Sequence, residues 1–224
     1  MTVTDDKLQP ARADPGPGSA GPGAGVGGDD GADRDAAAGR VVAALGEDLD
    51  AGFAVLYESY RGTVFTTALR LCGRWAEAED LSAEAFLRAY RALCGYGPDR
   101  LAALRPRAWL LTILMNLWRN SLRTAARRPP PGPLEEAPEP ADPAEGVEAA
   151  AARHETGREL AGLLAELSPA QRAAVVLRHV ADLPVTEIAA VLGVPEGTVK
   201  SHISRGLARL RTLHPLRSSQ GGTP

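Results

Sequence analysis

The sequence predicts an all-α protein made of two small helical domains, and three observations carry that prediction. Aromatic side chains are only 4% of the 224 residues, so the cores must be assembled mainly from Leu, Val and Ala, which favours helices. In the blocks that carry large apolar residues, those residues recur at spacings of three and four, and no segment reads as a strand. The 24 Gly and 18 Pro are spread unevenly and mark flexible stretches around those blocks.

Residues 1–40 are Gly, Ala, Pro and Asp with almost no large apolar side chain. Such a segment cannot bury enough surface to offset the entropy of ordering, and a disordered N-terminal tail is expected. The first folded block, 41–128, begins with FAVLYESYRGTVFTTALRL, where Phe53, Leu56, Tyr60, Val64, Ala68 and Leu71 form one apolar stripe. AEAEDLSAEAFLRAYRAL repeats the pattern with Leu81, Ala85, Phe86, Ala89 and Leu93. Gly95, Gly97 and Pro98 then break the chain, and Pro106 can open a third long helix because a proline at the first helical position costs little. Residues 129–150 hold seven prolines and six acids without a base, the composition of a flexible, acidic, Pro-rich linker. The second block, 151–214, reads as a lead helix over 155–166, a helix with Ser168 as N-cap and Pro169 behind it, and then a helix-turn-helix. A flexible C-terminal tail, 215–224, completes the chain.

The net charge of −3 conceals a segregation of charge. Residues 98–128 carry seven Arg against one Asp, and 194–217 carry one Lys and four Arg against Glu196. Two basic segments with an acidic one between them point to two polyanion-binding surfaces on a tether. The opening MTVTDDKLQP has neither the basic start nor the apolar core of a secretory signal, and no apolar run is long enough to span a bilayer. Cys72 and Cys94 lack metal-ligand spacing, so a reduced cytoplasmic protein is expected, with no metal and no cofactor. RHETGRE at 153–159 does not have the spacing of a zinc-protease helix, and no Gly-rich phosphate loop follows a strand; no catalytic constellation is present.

In VTEIAAVLGVPEGTVKSHISRGLARLR, Ile188, Ala189 and Leu192 face inward, Gly193 suits the tight turn, and Val199, Ile203, Leu207 and Leu210 form a buried stripe. The opposite stripe holds Lys200, Ser201, Ser204 and Arg205, flanked by Thr198 and His202. Short hydroxyls let a helix approach the major groove, and cations reach phosphates or guanine edges. This segment suits the C-terminal domains of LuxR-type response regulators and sigma factors equally.

The upstream block separates the two. From AEAEDLSAEAFLRAYRAL to RAWLLTILMNLWRNSLR the chain resembles the sigma-70 family, specifically the small extracytoplasmic function (ECF) sigma factors. The resemblance covers region 2 of such factors at roughly 50–128 and region 4 at roughly 155–213. It implies that the helix at 75–93 docks on the β′ clamp of core RNA polymerase through Asp80, Leu81, Glu84, Phe86, Leu87 and Arg88. A solvated helix face with a Glu84–Arg88 pair is the plainer reading of the same residues. Ala83 departs from the family pattern, which commonly has Gln there.

The resemblance also makes Asn116 the reader of a flipped base of the −10 element, with Arg119, Asn120 and Arg123 following the backbone and Trp109 beside them. For Trp109 and Trp118, core packing is the reading preferred on chemistry alone. Thr112 stands where relatives often have Arg. Residues 196–212 become the −35 recognition helix, with Thr198, Lys200, Ser201, Ser204 and Arg205 in the groove and Arg209 on phosphate. The acidic linker either threads the RNA path of the polymerase or serves as a solvated spacer. The implied partners are core RNA polymerase (β′ clamp and β flap), promoter DNA as duplex at −35 and melted strand at −10, and an anti-sigma factor, with no small-molecule substrate. Such a protein is a non-catalytic specificity subunit. The alternative from another class is a stand-alone LuxR-like regulator that binds an operator as a dimer; a sigma-like decoy is a third.

Overall fold

Asp48 makes the first corner. Helix α1 (Gly28–Glu47) ends there, and the Asp48 carboxylate accepts from the Ala51 N–H at 2.6 Å, capping α2 (Leu49–Cys72). The two helices fold back on each other so closely that a Cβ on Gly52 would run into the backbone of Ala44 and Leu45; only glycine permits that crossing. At the other end of α2, Gly73 adopts the left-handed conformation (φ 78°) and donates its N–H to Leu69 O, the usual way to stop a helix. α3 (Trp75–Leu93) returns along α2, tied to it by the Tyr90 hydroxyl, which donates to Asp50 at 2.7 Å. A turn through Gly95 and Gly97 leads to a short helix α4 (Pro98–Ala102), and α5 (Pro106–Ala125) runs across α2 and α3.

The computed structural model describes the backbone of residues 28–127, 157 and 159–218, and side chains over 35–127, 157 and 159–213. Among them all regular structure is helical. The expected stripes point inward: Leu56, Tyr60, Val64, Ala68 and Leu71 from α2, and Leu81, Ala85, Phe86, Ala89 and Leu93 from α3, are buried, with Phe53 half-buried. Leu110, Leu111, Leu114, Met115 and Trp118 of α5 close this core. Each such side chain withdrawn from water contributes about 1.5–3 kcal/mol, which is what holds short helices that would be marginal alone.

The second unit holds a helical turn pair at 159–165 (α6), then α7 (Pro169–His179), α8 (Val185–Leu192) and α9 (Glu196–Ser218). Ser168 is the N-cap of α7 and forms a full capping box with Gln171, each side chain accepting from the other's backbone N–H at 3.3 Å. α9 packs on α7 at Gly206, where a Cβ would stand 2.7 Å from Val175 Cγ2.

Three boundaries differ from the sequence reading. α1 begins at Gly28, inside the segment expected to be disordered; Ala36–Ala38 favour helix intrinsically, and Val41 and Leu45, buried against α2, anchor its end. α4 occupies what reads as an interhelix break, because Pro98 suits a first helical position. The backbone of α9 continues to Ser218, past residue 214. The linker 129–150 lies outside the described residues.

The largest difference concerns how the two units stand to each other. They pack directly, and their buried side chains form one continuous cluster. Two guanidinium groups cross the boundary onto helix C-termini. Arg172 of α7 donates to Leu71 O near the end of α2 at 2.8 Å, and Arg119 of α5 donates to Leu192 O, the last residue of α8, at 3.0 Å. Both carbonyls belong to the last turn of their helices, where no partner exists within the helix and the dipole favours a cation.

Candidate nucleic-acid interface

The turn between α8 and α9 is made by Gly193 in the left-handed region (φ 67°), with its N–H and that of Val194 both bonded to Ala189 O. This geometry sets the pose of α9. Val199 is fully buried, Ile203, Leu207 and Leu210 are half-buried, and the opposite stripe projects outward: Lys200, Ser201, Ser204, Arg205 and Arg209 are all exposed, with Thr198 half-buried at the edge. Lys200 stands 4.0 Å from Glu196, an exposed pair that contributes little and leaves the ammonium available. Among the described residues Arg205 and Arg209 meet no acidic partner. Hydroxyls and uncommitted cations therefore share one helical face, the arrangement that fits a groove lined by phosphates and base edges.

α5 divides in the same way. Its buried face supplies the core, while Asn116, Asn120 and Arg123 lie exposed on the opposite side, with Arg119 half-buried among them. The spacing of three and four puts these four on one stripe. Arg123 donates to Asn120 Oδ1 at 3.0 Å, which fixes the amide's orientation. Burial first, and the neighbouring Arg123 charge second, lower the Arg119 pKa from its ordinary value, though a guanidinium stays cationic throughout. Trp118 is core, 2% exposed, as its chemistry predicts. Trp109 is half-buried and donates its indole N–H to the Tyr96 hydroxyl at 3.1 Å; the Arg100 guanidinium lies 3.8 Å over the Tyr96 ring. Tyr96 and Arg100 thus join Trp109 in an aromatic and basic cluster at the approach to α5. Sequence reading passed over them, although a tyrosine between two glycines and ahead of a proline was the available signal. Thr112 bonds back to Ala108 O at 2.8 Å and is half-buried.

On α3 the six candidate residues split. Asp80 and Leu87 are exposed, and Glu84 and Arg88 are half-exposed and paired at 2.7 Å. Leu81 and Phe86 are buried, so they shape the helix and do not present to a partner. Tyr57, 42% exposed, extends this surface from α2, its ring edge-on to Phe86 at 4.8 Å between centroids. It falls off the apolar stripe of α2, which hides it from a periodicity argument. Among the described residues no group of acids, His and Cys is placed to hold a metal ion, and no helix is long and apolar enough to cross a membrane.

The family model described as sigma-70 region 2 matches residues 56–128, and that described as sigma-70, region 4 matches 157–210. The ECF RNA polymerase sigma factor SigE of Mycolicibacterium smegmatis is 36% identical over 169 residues, covering 74% of this chain and 62% of that protein. The RNA polymerase sigma-E factor of Streptomyces avermitilis is 36% identical over 145 residues, covering 65% of this chain and 75% of that one. The chain thus spans less than two thirds of the first relative and three quarters of the second. The solved structure of CnrH in complex with the cytosolic domain of CnrY matches with a TM-score of 0.60 at 25% identity, over 80% of this chain and 98% of that one. With both regions matched in order on two helical units that expose the expected stripes, the chain belongs to the sigma-70 family, in its ECF group.

Proposed function

We propose that this protein is a promoter-specificity subunit of bacterial RNA polymerase, working in the cytoplasm and catalysing no reaction itself. The observation that carries the reading is the presence, in one chain, of two outward stripes of different chemistry: amides with cations on α5, and hydroxyls with cations on α9. A duplex reader alone needs only the second.

In this reading Asp80, Glu84, Leu87 and Arg88, with Tyr57 beside them, dock on the β′ clamp. The unit 157–218 reads duplex at −35 through Lys200, Ser201, Ser204 and Arg205, with Thr198 at the edge and Arg209 on phosphate, and it contacts the β flap. Asn116 reads an extruded −10 base, whose loss of stacking costs a few kcal/mol and must be repaid by the pocket that receives it. Trp109 and Tyr96 offer stacking faces there, and Arg119, Asn120 and Arg123 follow the strand. The boundaries at 41–128 and 151–214, joined by the acidic linker, describe the two working parts. A proteinaceous inhibitor of the anti-sigma kind is a natural partner, since the matched CnrH structure holds the cytosolic domain of CnrY.

Run-off transcription with purified core polymerase on genomic DNA tests the reading. Start sites that appear only when the chain is added support it. Tight, sequence-specific duplex binding without polymerase and without new start sites would replace it with a stand-alone regulator.

A further inference from the structure

Glu196 is the only acid in the sequence of α9, the helix assigned to duplex, and it opens the first turn of that helix. Its place is firm. The N–H groups of Thr198 and Val199 both donate to Pro195 O, at 2.9 and 3.1 Å, which closes the first turn directly after the Gly193 corner. Glu196 and Gly197 are exposed, and Lys200, one turn on, carries its ammonium 4.0 Å from the Glu196 carboxylate. A Cβ on Gly197 would meet nothing within 4 Å, so no neighbour inside the protein demands a bare backbone there. On the outside, the missing side chain lets the first turn approach a base edge closely.

A carboxylate here is a liability for a helix that must enter a groove. Phosphates repel it, and an exposed pair one turn apart adds too little stability to offset that repulsion. The groups of duplex DNA that suit it are the base amino groups in the major groove. A carboxylate only accepts hydrogen bonds, and an ammonium only donates them. The major-groove edge of a C·G pair sets the amino group of cytosine beside two acceptors, O6 and N7 of guanine. An acceptor and a donor a few ångströms apart match that edge in one orientation, with the carboxylate on cytosine N4 and the ammonium shared by O6 and N7. In an A·T pair the amino group stands between N7 and O4, so neither side of it offers two adjacent acceptors, and the thymine methyl crowds O4. In a reversed G·C pair the donor and the acceptors change sides.

We propose that Glu196 is a specificity-determining residue that, together with Lys200, reads one C·G base pair of the −35 element in a fixed orientation. The proposal rests on the assignment of α9 to duplex made above and adds the base pair that the start of α9 selects. The free chain holds the two charges against each other at the groove-facing end of the helix. On the correct pair each exchanges that weak contact for a base edge of complementary sign; on any other pair at least one is left facing a group of its own kind or a methyl.

The test reads base preference. Holoenzyme is assembled from the full chain and core polymerase, and a promoter identified by run-off is randomised over its −35 element. Bound DNA is then sequenced. The parent chain should select C·G at one pair, and Glu196→Gln, which keeps the shape and removes the charge, should lower that selection at least about fivefold, the low end of what a good base contact contributes. Selection at the other positions should persist, and Lys200→Met should lower selection at the same pair. The helix dipole also favours an acid in a first turn. That role alone would give Glu196→Gln a lower melting temperature with unchanged base preference, which overturns the proposal. A uniform rise in binding across all sequences overturns it too, since the carboxylate would then act on phosphate alone. Arg205→Ala separates the two levels of the reading. If it alters base selection and Glu196→Gln does not, α9 keeps its assignment and the role of Glu196 falls. If the parent chain selects nothing in the randomised stretch, the assignment of α9 falls and the role of Glu196 with it.

Discussion

Asn116 and Arg205 carry opposite kinds of expectation, although both are exposed polar residues on helices. Asn116→Ala should slow open-complex formation without changing affinity for core polymerase, because a base reader acts only once the strand is extruded. Unchanged opening, followed by permanganate reactivity of unpaired thymines, would remove that role. Arg205→Ala should lose about 1–3 kcal/mol of discrimination at one −35 position if the guanidinium bonds a base edge; a uniform loss across sequences would move it to phosphate. Cys72 gives a separate check on packing. Burial is the main cause that pushes its thiol up to about 11, partly opposed by backbone hydrogen bonding at Arg74. At pH 8 only about one molecule in a thousand then carries the reactive thiolate, so iodoacetamide should modify the exposed Cys94 well before Cys72, as read by peptide mass. Comparable rates at the two would mean that α2 ends differently. The raised pKa also fixes a sign: the neutral thiol's contribution is complete below about pH 9 and is lost as pH rises toward 11.

At the scale of elements, two glycines in helices should respond in opposite directions to the same change. Gly62 in α2 has nothing within 4 Å of a Cβ, so Gly62→Ala should gain up to about 1 kcal/mol from helix propensity alone. Gly206→Ala gains the same propensity but drives a methyl to 2.7 Å from Val175 Cγ2, a branched side chain with little room to turn, and overpacking of about 1–3 kcal/mol should win. Thermal melts decide both, and a stabilised Gly206→Ala would show that α7 and α9 cross less closely. What was legible in the sequence follows the same division. The N-cap at Ser168, the turn at Gly193 and the stripes of α2, α3 and α9 are local, written in residues a few positions apart, and they stand where they were expected. α1 was half missed because its apolar anchors, Val41 and Leu45, are few and its exposed turns rely on alanine. The crossing at Gly52 and the exposure of Tyr57 depend on a neighbouring helix, which periodicity does not report.

The whole molecule was the least legible. Segregated charge suggested two bodies on a tether, whereas one buried cluster spans both, and the polar contacts between them include Arg119 and Arg172 bound to backbone carbonyls. A carbonyl has no letter in the sequence, so an arginine destined for one looks the same as an arginine destined for DNA. The packing has a measurable signature. All three tryptophans, Trp75, Trp109 and Trp118, belong to the first unit, while helicity reports both. Fluorescence and circular dichroism should therefore trace a single coincident transition, since one buried cluster spans the two units. Separate midpoints would show that the units unfold independently.

The inward turn of Arg119 also bears on how the chain fares among a whole chromosome. Non-specific attraction to duplex grows with each phosphate a protein can neutralise, and genomic DNA offers such sites in enormous excess over promoters. With a net charge of −3 and the guanidinium groups of Arg119 and Arg172 spent on its own helix ends, the chain in this arrangement offers phosphate fewer cations than its composition suggests.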